Sequence, residues 1–250
     1  MGYGDDIMAT AQARALFEET GQKAVFGVAP DYHWSPLFEG HPYIAQPGEP
    51  GTPIMNYPGR RPYFRGLTKR KIIFEKNFRA VPGYLELESR PCLNEPYVIV
   101  EPHVKGEFSA DNKDWGWENW QALVNILAGK VTVVQFEYGQ SRKLDNVRII
   151  PTPDIRDALA ALKGADRFYG TDGALHHAAA AFGKPATVVW GGYSPPEVLG
   201  YDFHRNIGGG WCGARRRCWH CRRAMRRISV EDVLGIPMRI GTPPLDSALR

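Results

Sequence analysis

From Tyr97 onward the chain alternates two kinds of apolar pattern. Short contiguous apolar runs recur: YVIVEP at Tyr97, VTVVQF at Val131, VRIIP at Val147, ADRFYG at Ala165 and ATVVWGG at Ala186. Their length and β-branched content predict strands buried on both faces. Between them lie Trp117–Leu127, Ile155–Leu162 and the stretch opening at Gly173, with apolar positions three and four apart. That is the period of a helix packed on a core. Strand and helix in alternation predict an α/β unit, a parallel doubly wound Rossmann-like sheet over Pro96–Gly192, with ISVEDVLGI as a closing helix.

The N-terminal part is less regular. Asp6 reads as an N-cap, followed by a helical run from Ile7 to Glu19 that stops at Thr20-Gly21, and by a short strand over Lys23–Val28. An α/β domain normally opens with a strand. MGYGDD reads as the loop after such a strand, so either that strand is missing or a later segment takes its place. Residues 46–90 are rich in Pro, Gly and Arg and predict a long loop, with a short helix or strand near Ile72–Phe74. A loop of that length usually serves function.

Composition narrows the class. With 43% hydrophobic and 23% charged residues the chain is not disordered. No apolar run approaches the ~18 residues of a membrane helix. Acidic Asp5 and Asp6 stand where a signal peptide would carry basic residues, and four Cys make no disulfide framework. A soluble cytoplasmic protein is expected. The net charge of +4 conceals seven Arg between Arg215 and Arg227 with no acidic residue among them, so the rest of the chain is net negative. Such a segment reads either as a solvated face or as the contact for an anionic partner.

Four stretches can carry chemistry. In GTDGALHHAAAAFG, from Gly170, a strand runs into a helix whose N-terminus suits a phosphate; Gly170 and Gly173 allow close approach, and Asp172 either meets sugar hydroxyls or caps the helix. There is no GxGxxG and no Walker loop, which disfavours dinucleotide oxidoreductases and P-loop ATPases. Lys113, between YVIVEP and the next helix, can neutralise a phosphate oxygen, whereas Trp115, Trp117 and Trp120 read as packing residues. Gly4-Asp5-Asp6 offers a carboxylate at a helix head as a general base, with the choice between the two Asp open. Cys212, Cys218 and Cys221, with His220 beside the last, have spacing that allows zinc or a disulfide, although free or packed thiols are the expected state. His176 and His177 are adjacent on a helix, so at most one faces the site.

GDDIMATAQARAL, NKDWGWENWQAL and FYGTDGALHHAAAAFGKPATVVWG resemble, in that order, the signature stretches of the family 9 glycosyltransferases, which include the ADP-heptose:lipopolysaccharide heptosyltransferases. CWHCRRAMRRISVEDVL is similar to a Cys-bearing tail in that family. The resemblance implies a GT-B-like fold divided into a reduced acceptor-side α/β domain over 1–92, a Rossmann-like nucleotide-sugar domain over 93–235, and a tail over 236–250. It implies Asp5 as catalytic base, Lys113 as phosphate ligand, Thr171, Asp172, Gly173 and Ala174 near the donor pyrophosphate and sugar, and His177 as the signature His. Gly116 replaces the family's Pro, and Asp-Gly-Ala replaces Asp-Thr-Gly, so donor identity does not carry over.

The expected activity is inverting, metal-independent transfer of a sugar from a nucleotide-sugar to a hydroxyl, with that donor as substrate and no cofactor. Arg60, Arg61, Arg215, Arg216, Arg217 and Arg222 suit an anionic acceptor, either a lipopolysaccharide-type glycolipid or hydroxymethylated phage DNA. The alternative class is a non-catalytic nucleotide- or nucleic-acid-binding module derived from such a transferase.

Overall fold

A computed structural model describes residues 2–54, 61–88, 90–104, 110–139 and 141–235. Arg60 and the expected tail over 236–250 lie outside the described residues.

The chain opens with helix α1 (Tyr3–Thr20), which stops at Gly21 in the left-handed conformation that glycine tolerates. Its N-cap is Gly2, not Asp6. Asp5 and Asp6 sit inside the first turn, where the positive end of the helix favours carboxylates. Strand β1 (Ala24–Val28) pairs antiparallel with β2 (Asp31–His33) and parallel with β3 (Thr52–Ile54). The stretch expected as loop thus contributes a strand to this sheet. It also holds an antiparallel pair, β4 (Phe64–Leu67) and β5 (Ile72–Phe74), sealed by buried Tyr63, Ile72 and Phe74. Strands of three or four residues carry too little period to be read from sequence.

The second half is the expected doubly wound unit. In chain order it comprises β6 (Tyr97–Glu101), α2 (Trp117–Leu127), β7 (Thr132–Glu137), β8 (Arg148–Pro151), α3 (Ile155–Gly164), β9 (Arg167–Thr171), α4 (Ala174–Ala181), β10 (Ala186–Trp190), α5 (Pro196–Leu199), β11 (Arg205–Gly208), α6 (Trp219–Arg226) and α7 (Val230–Leu234). The sheet runs β11-β10-β9-β6-β7-β8 with every pairing parallel. Read from β8, this is the 3-2-1-4-5-6 order of nucleotide-binding sheets. The sixth strand, RNIG, escaped the pattern because Ile207 is its only large apolar residue.

Alternation along β6 divides the core. Ile99 faces a cluster with α1, α3 and α4 on one side. Val98 and Val100 face Trp115, Trp120, Leu123 and α7 on the other. The Ala-rich α4 lets α1 approach closely: a Cβ on Gly4 would stand 3.4 Å from Ala174 Cα. The N-terminal ends of the two helices therefore meet. No helix among the described residues is long and apolar enough to cross a membrane.

Candidate functional site

In an open parallel sheet, ligands bind beyond the carboxyl ends of the strands where the order reverses. Here that point lies between β6 and β9. Thr171 ends β9 and is buried, and buried Asp172 follows. Lys113, from the 3-10 turn Ala110–Lys113 after β6, reaches across the switch point. Its Nζ lies 2.5 Å from Asp172 Oδ2 and 3.2 Å from the Asp172 carbonyl. Ser194, in the loop after β10, donates its hydroxyl to the same Oδ2 at 2.5 Å. Asp172 is therefore not a helix cap. Gly173 occupies that position, and its extended backbone leaves the side chain of Asp172 free to meet Lys113.

Burial alone would push the Asp172 carboxyl upward, but the Lys113 ammonium outweighs it and holds the group below the usual carboxylate range. The adjacent imidazoles of His176 and His177 are both pushed down by burial, His177 further by His176. The hydrogen bonds agree. His176 Nδ1 accepts the Gly173 N–H at 3.0 Å, so its proton sits on Nε2, 3.2 Å from the Leu199 carbonyl. With the histidines neutral, Lys113 is the working counter-charge. His177 Nδ1 lies 2.8 Å from the Tyr201 hydroxyl, and its ring lies against Gly4. Asp172, His176 and His177 cluster tightly enough to suggest a metal, but the ammonium beside Asp172 already holds its oxygen.

The head of α1 closes the other side. Asp5 accepts from Arg61 Nη2 at 2.8 Å and from the Tyr63 hydroxyl. Asp6 turns away; it is 3% exposed, 2.9 Å from His33 Nε2, and burial raises its carboxyl despite Ser35 and His33. Tyr193 joins the two sides. Its ring carries Lys113 Nζ at 4.9 Å, and burial together with Asp172 raises its hydroxyl while Arg61 and Arg215 pull it down. Tyr193 and Ser194 were not read from sequence; their only signal is GGYS at the carboxyl end of β10.

The arginines divide. Half-buried Arg61 stacks over Phe64, 5.1 Å from the ring centroid. Arg215 donates to the Thr68 carbonyl at 2.8 Å. Arg217 and Arg222 share Asp111, at 2.8 and 3.6 Å. Arg216 is exposed, and its carbonyl accepts from Asn112. Buried Ala178–Ala180 and the packed Trp115 and Trp120 support the site from beneath.

A doubly wound α/β unit with the Lys113–Asp172 pair at its switch point has the sheet order found in nucleotide-binding folds. The nearer likeness is to heptosyltransferases of family 9. Lipopolysaccharide heptosyltransferase 1 of Escherichia coli K12 is 22% identical over 142 residues, covering 48% of this chain and 44% of that protein. The chain thus spans less than half the length of the curated relatives it matches. No family model matches. Among solved structures, the iron-containing dodecameric glycosyltransferase TibC of enterotoxigenic E. coli H10407 has a TM-score of 0.49 and 16% identity, over 63% of this chain and 49% of its own. E. coli heptosyltransferase WaaC with ADP has a TM-score of 0.42 and 17% identity, over 57% and 43%.

Proposed function

We propose that the chain is a GT-B-type glycosyltransferase with the domain division expected from sequence, taking a sugar from a nucleoside diphosphate sugar and passing it to a hydroxyl of an anionic glycan. The observation that carries this reading is the Lys113–Asp172–Ser194 cluster facing Asp5–Arg61–Tyr63 across the junction of α1 and α4. The diphosphate lies over the α4 N-terminus. The first N–H groups of Ala174 and Leu175 have no intrahelical acceptor and meet its oxygens. Gly173 allows the approach, and Thr171 lines the floor. As the sugar–phosphate bond breaks, negative charge grows on the leaving oxygen, and Lys113 turns from Asp172 to meet it. His177 holds Tyr201 and the α1 contact in place.

Asp5 takes the acceptor proton. It is the better placed of the two aspartates because Asp6 is sealed behind His33. Arg61 and Tyr63 orient the carboxylate and yield to the acceptor when it enters. Attack from the face opposite the diphosphate inverts the anomeric carbon. Cations built into the chain supply the counter-charge that a metal supplies in other transferases. Arg60, Arg61, Arg215 and Arg216 favour an anionic acceptor, and the likeness to lipopolysaccharide heptosyltransferases favours a glycolipid core over DNA. Four free thiols fit a reducing cytoplasm.

The test has two arms. Thermal shift against ADP-, UDP-, GDP- and CMP-sugars identifies the donor, ADP-heptose being first in line. Asp5→Asn should keep that shift and lose at least about a hundredfold in kcat. A nucleotide shift without consumption of any donor would instead mark a binding module, and retardation of duplex DNA at physiological salt would overturn the glycolipid acceptor.

A further inference from the structure

The transfer reading leaves part of the arginine-rich segment unused. Arg217 and Arg222 are matched to Asp111, and Arg226 lies over the Trp219 ring, 5.6 Å from its centroid. Arg223 and Arg227 are exposed and have no acidic partner among the described residues. Along α6 and its C-cap, positions 220, 223, 224 and 227 are three and four apart and share one face, while Cys221 and Met225 are buried against the core. The shared face borders a cavity of about 550 Å³. Its opposite wall is the Gly208-Gly209-Gly210 loop leaving β11, and Ile207 and Ile228 add apolar lining.

The lining suits an anion. Arg223 and Arg227 stand one turn apart at the cavity edge, and His220 stands over the loop: a Cβ on Gly210 would lie 3.7 Å from its Nε2. The glycine wall carries no side chains, so a ligand can approach the backbone closely. A Cβ on Gly208 would stand 2.3 Å from the Trp190 carbonyl, so a side chain there would displace the strand ends. Asp232 is the only acidic residue in the lining among the described residues. Its Oδ2 is committed to Ser229, accepting the backbone N–H and the hydroxyl at 2.9 Å each.

We propose that this cavity binds a small phosphorylated ligand, a phosphomonoester of metabolite size. The phosphate sits between Arg223 and Arg227, and the body of the ligand lies against Ile207 and Ala224. A guanidinium fork matches two phosphate oxygens, and two guanidiniums balance a group whose charge approaches about −2 at neutral pH. The volume is that of a small-molecule site rather than a groove for a polymer. The site is separate from the Lys113–Asp172 cluster. β11 lies two strands from β9, roughly 10 Å along the sheet edge, and no lining residue belongs to that cluster. The inference therefore does not rest on the proposed function.

The experiment is calorimetric titration of the full chain with phenyl phosphate at constant ionic strength. Its ring needs the apolar lining and its phosphate needs the arginines. One site with a Kd below about 1 mM is expected in the wild type. Arg223→Glu and Arg227→Glu should each weaken it at least about tenfold. Because charge reversal can disturb α6, Arg223→Gln and Arg227→Gln are measured beside them, with the same expectation. Arg226→Glu makes the same charge change off the cavity face and should keep the affinity within about twofold. Ala224→Phe fills the cavity without changing charge and should also weaken binding at least about tenfold. No wild-type binding up to roughly 10 mM overturns the site. So does an equal loss in Arg226→Glu, which marks a diffuse basic surface, and so does unchanged affinity in Ala224→Phe, which puts the ligand outside the cavity. A DNA oligonucleotide that displaces phenyl phosphate and is weakened equally by all three charge reversals would assign the face to nucleic acid instead, and would also overturn it.

Discussion

Asp172 is buried to 7% exposure and stays ionised only because an ammonium stands against it. Removing one partner of a buried pair strands the other charge, at a cost of about 3–5 kcal/mol. Lys113→Ala should therefore destabilise the fold by that amount in denaturant unfolding, and under the proposed function it should also weaken nucleotide binding. A cost below about 1 kcal/mol would mean that the pair is solvent-screened. Asp172→Asn should cost less, since an amide still accepts from Ser194 and leaves a cation that is closer to solvent. The types of these residues were legible in sequence, and so was the strand end that bears Asp172. Their pairing was not, because Lys113 and Asp172 lie 59 positions apart. Tyr193 escaped for a similar reason: an aromatic after a strand gives no sign that a lysine will lie over its ring.

Among the elements, α1 decides the site, because it brings Asp5 to the head of α4. Its seat is tight on two sides. Gly83 crosses it so closely that a Cβ there would stand 2.3 Å from the Ile7 carbonyl and 2.8 Å from Thr10 Oγ1. Thr10 donates to that carbonyl and accepts the Tyr84 N–H, so the contact cannot relax by turning a side chain. Gly83→Ala should lower stability by roughly 1–3 kcal/mol. Gly129→Ala is the matched control; its nearest neighbour is the Ile126 carbonyl at 3.9 Å, and a change within about 0.5 kcal/mol is expected. Equal effects from the two would show that crowding against α1 is not the cause. The helix itself was readable from its length and its Gly21 stop. Its start was misplaced because both aspartates suit a cap and a first turn alike.

Across the whole molecule, protonation sets acid tolerance. His41, His176 and His177 are pushed below the ordinary imidazole range by burial, and His204 down to about 4. Each binds its proton more readily when unfolded. Their stabilisation is complete above the unfolded value near about 6.5 and is lost as pH falls below it. Asp172, held low when folded, loses its contribution only further down, below about 4. Asp6, raised by burial, acts in the opposite sense. Tm should thus fall from pH 7 to pH 5 at constant ionic strength, and His177→Gln should flatten the slope. A Tm constant or rising over that interval would show the imidazoles to be already charged in the fold. The arginines of the Arg215–Arg227 segment do not enter this balance, since guanidinium groups stay charged throughout this range.

The sequence by itself determined the parallel sheet of the second half, the helices between its strands and the strand ends from which the candidate site is built. Those features depend on local period and on chain connectivity, which a linear pattern records directly. It did not determine the short pairings of 46–90, the sixth strand β11, or which aspartate faces the crevice. Three-residue strands gain stability only from distant partners, and a carboxylate's direction depends on what packs beside it. Tertiary structure alone set Lys113 against Asp172, turned Asp5 toward Arg61 and Asp6 toward His33, and gathered three thiols that are six and three residues apart in the chain. Each is a contact between side chains carried on different elements, and its position is fixed by packing of the core between them.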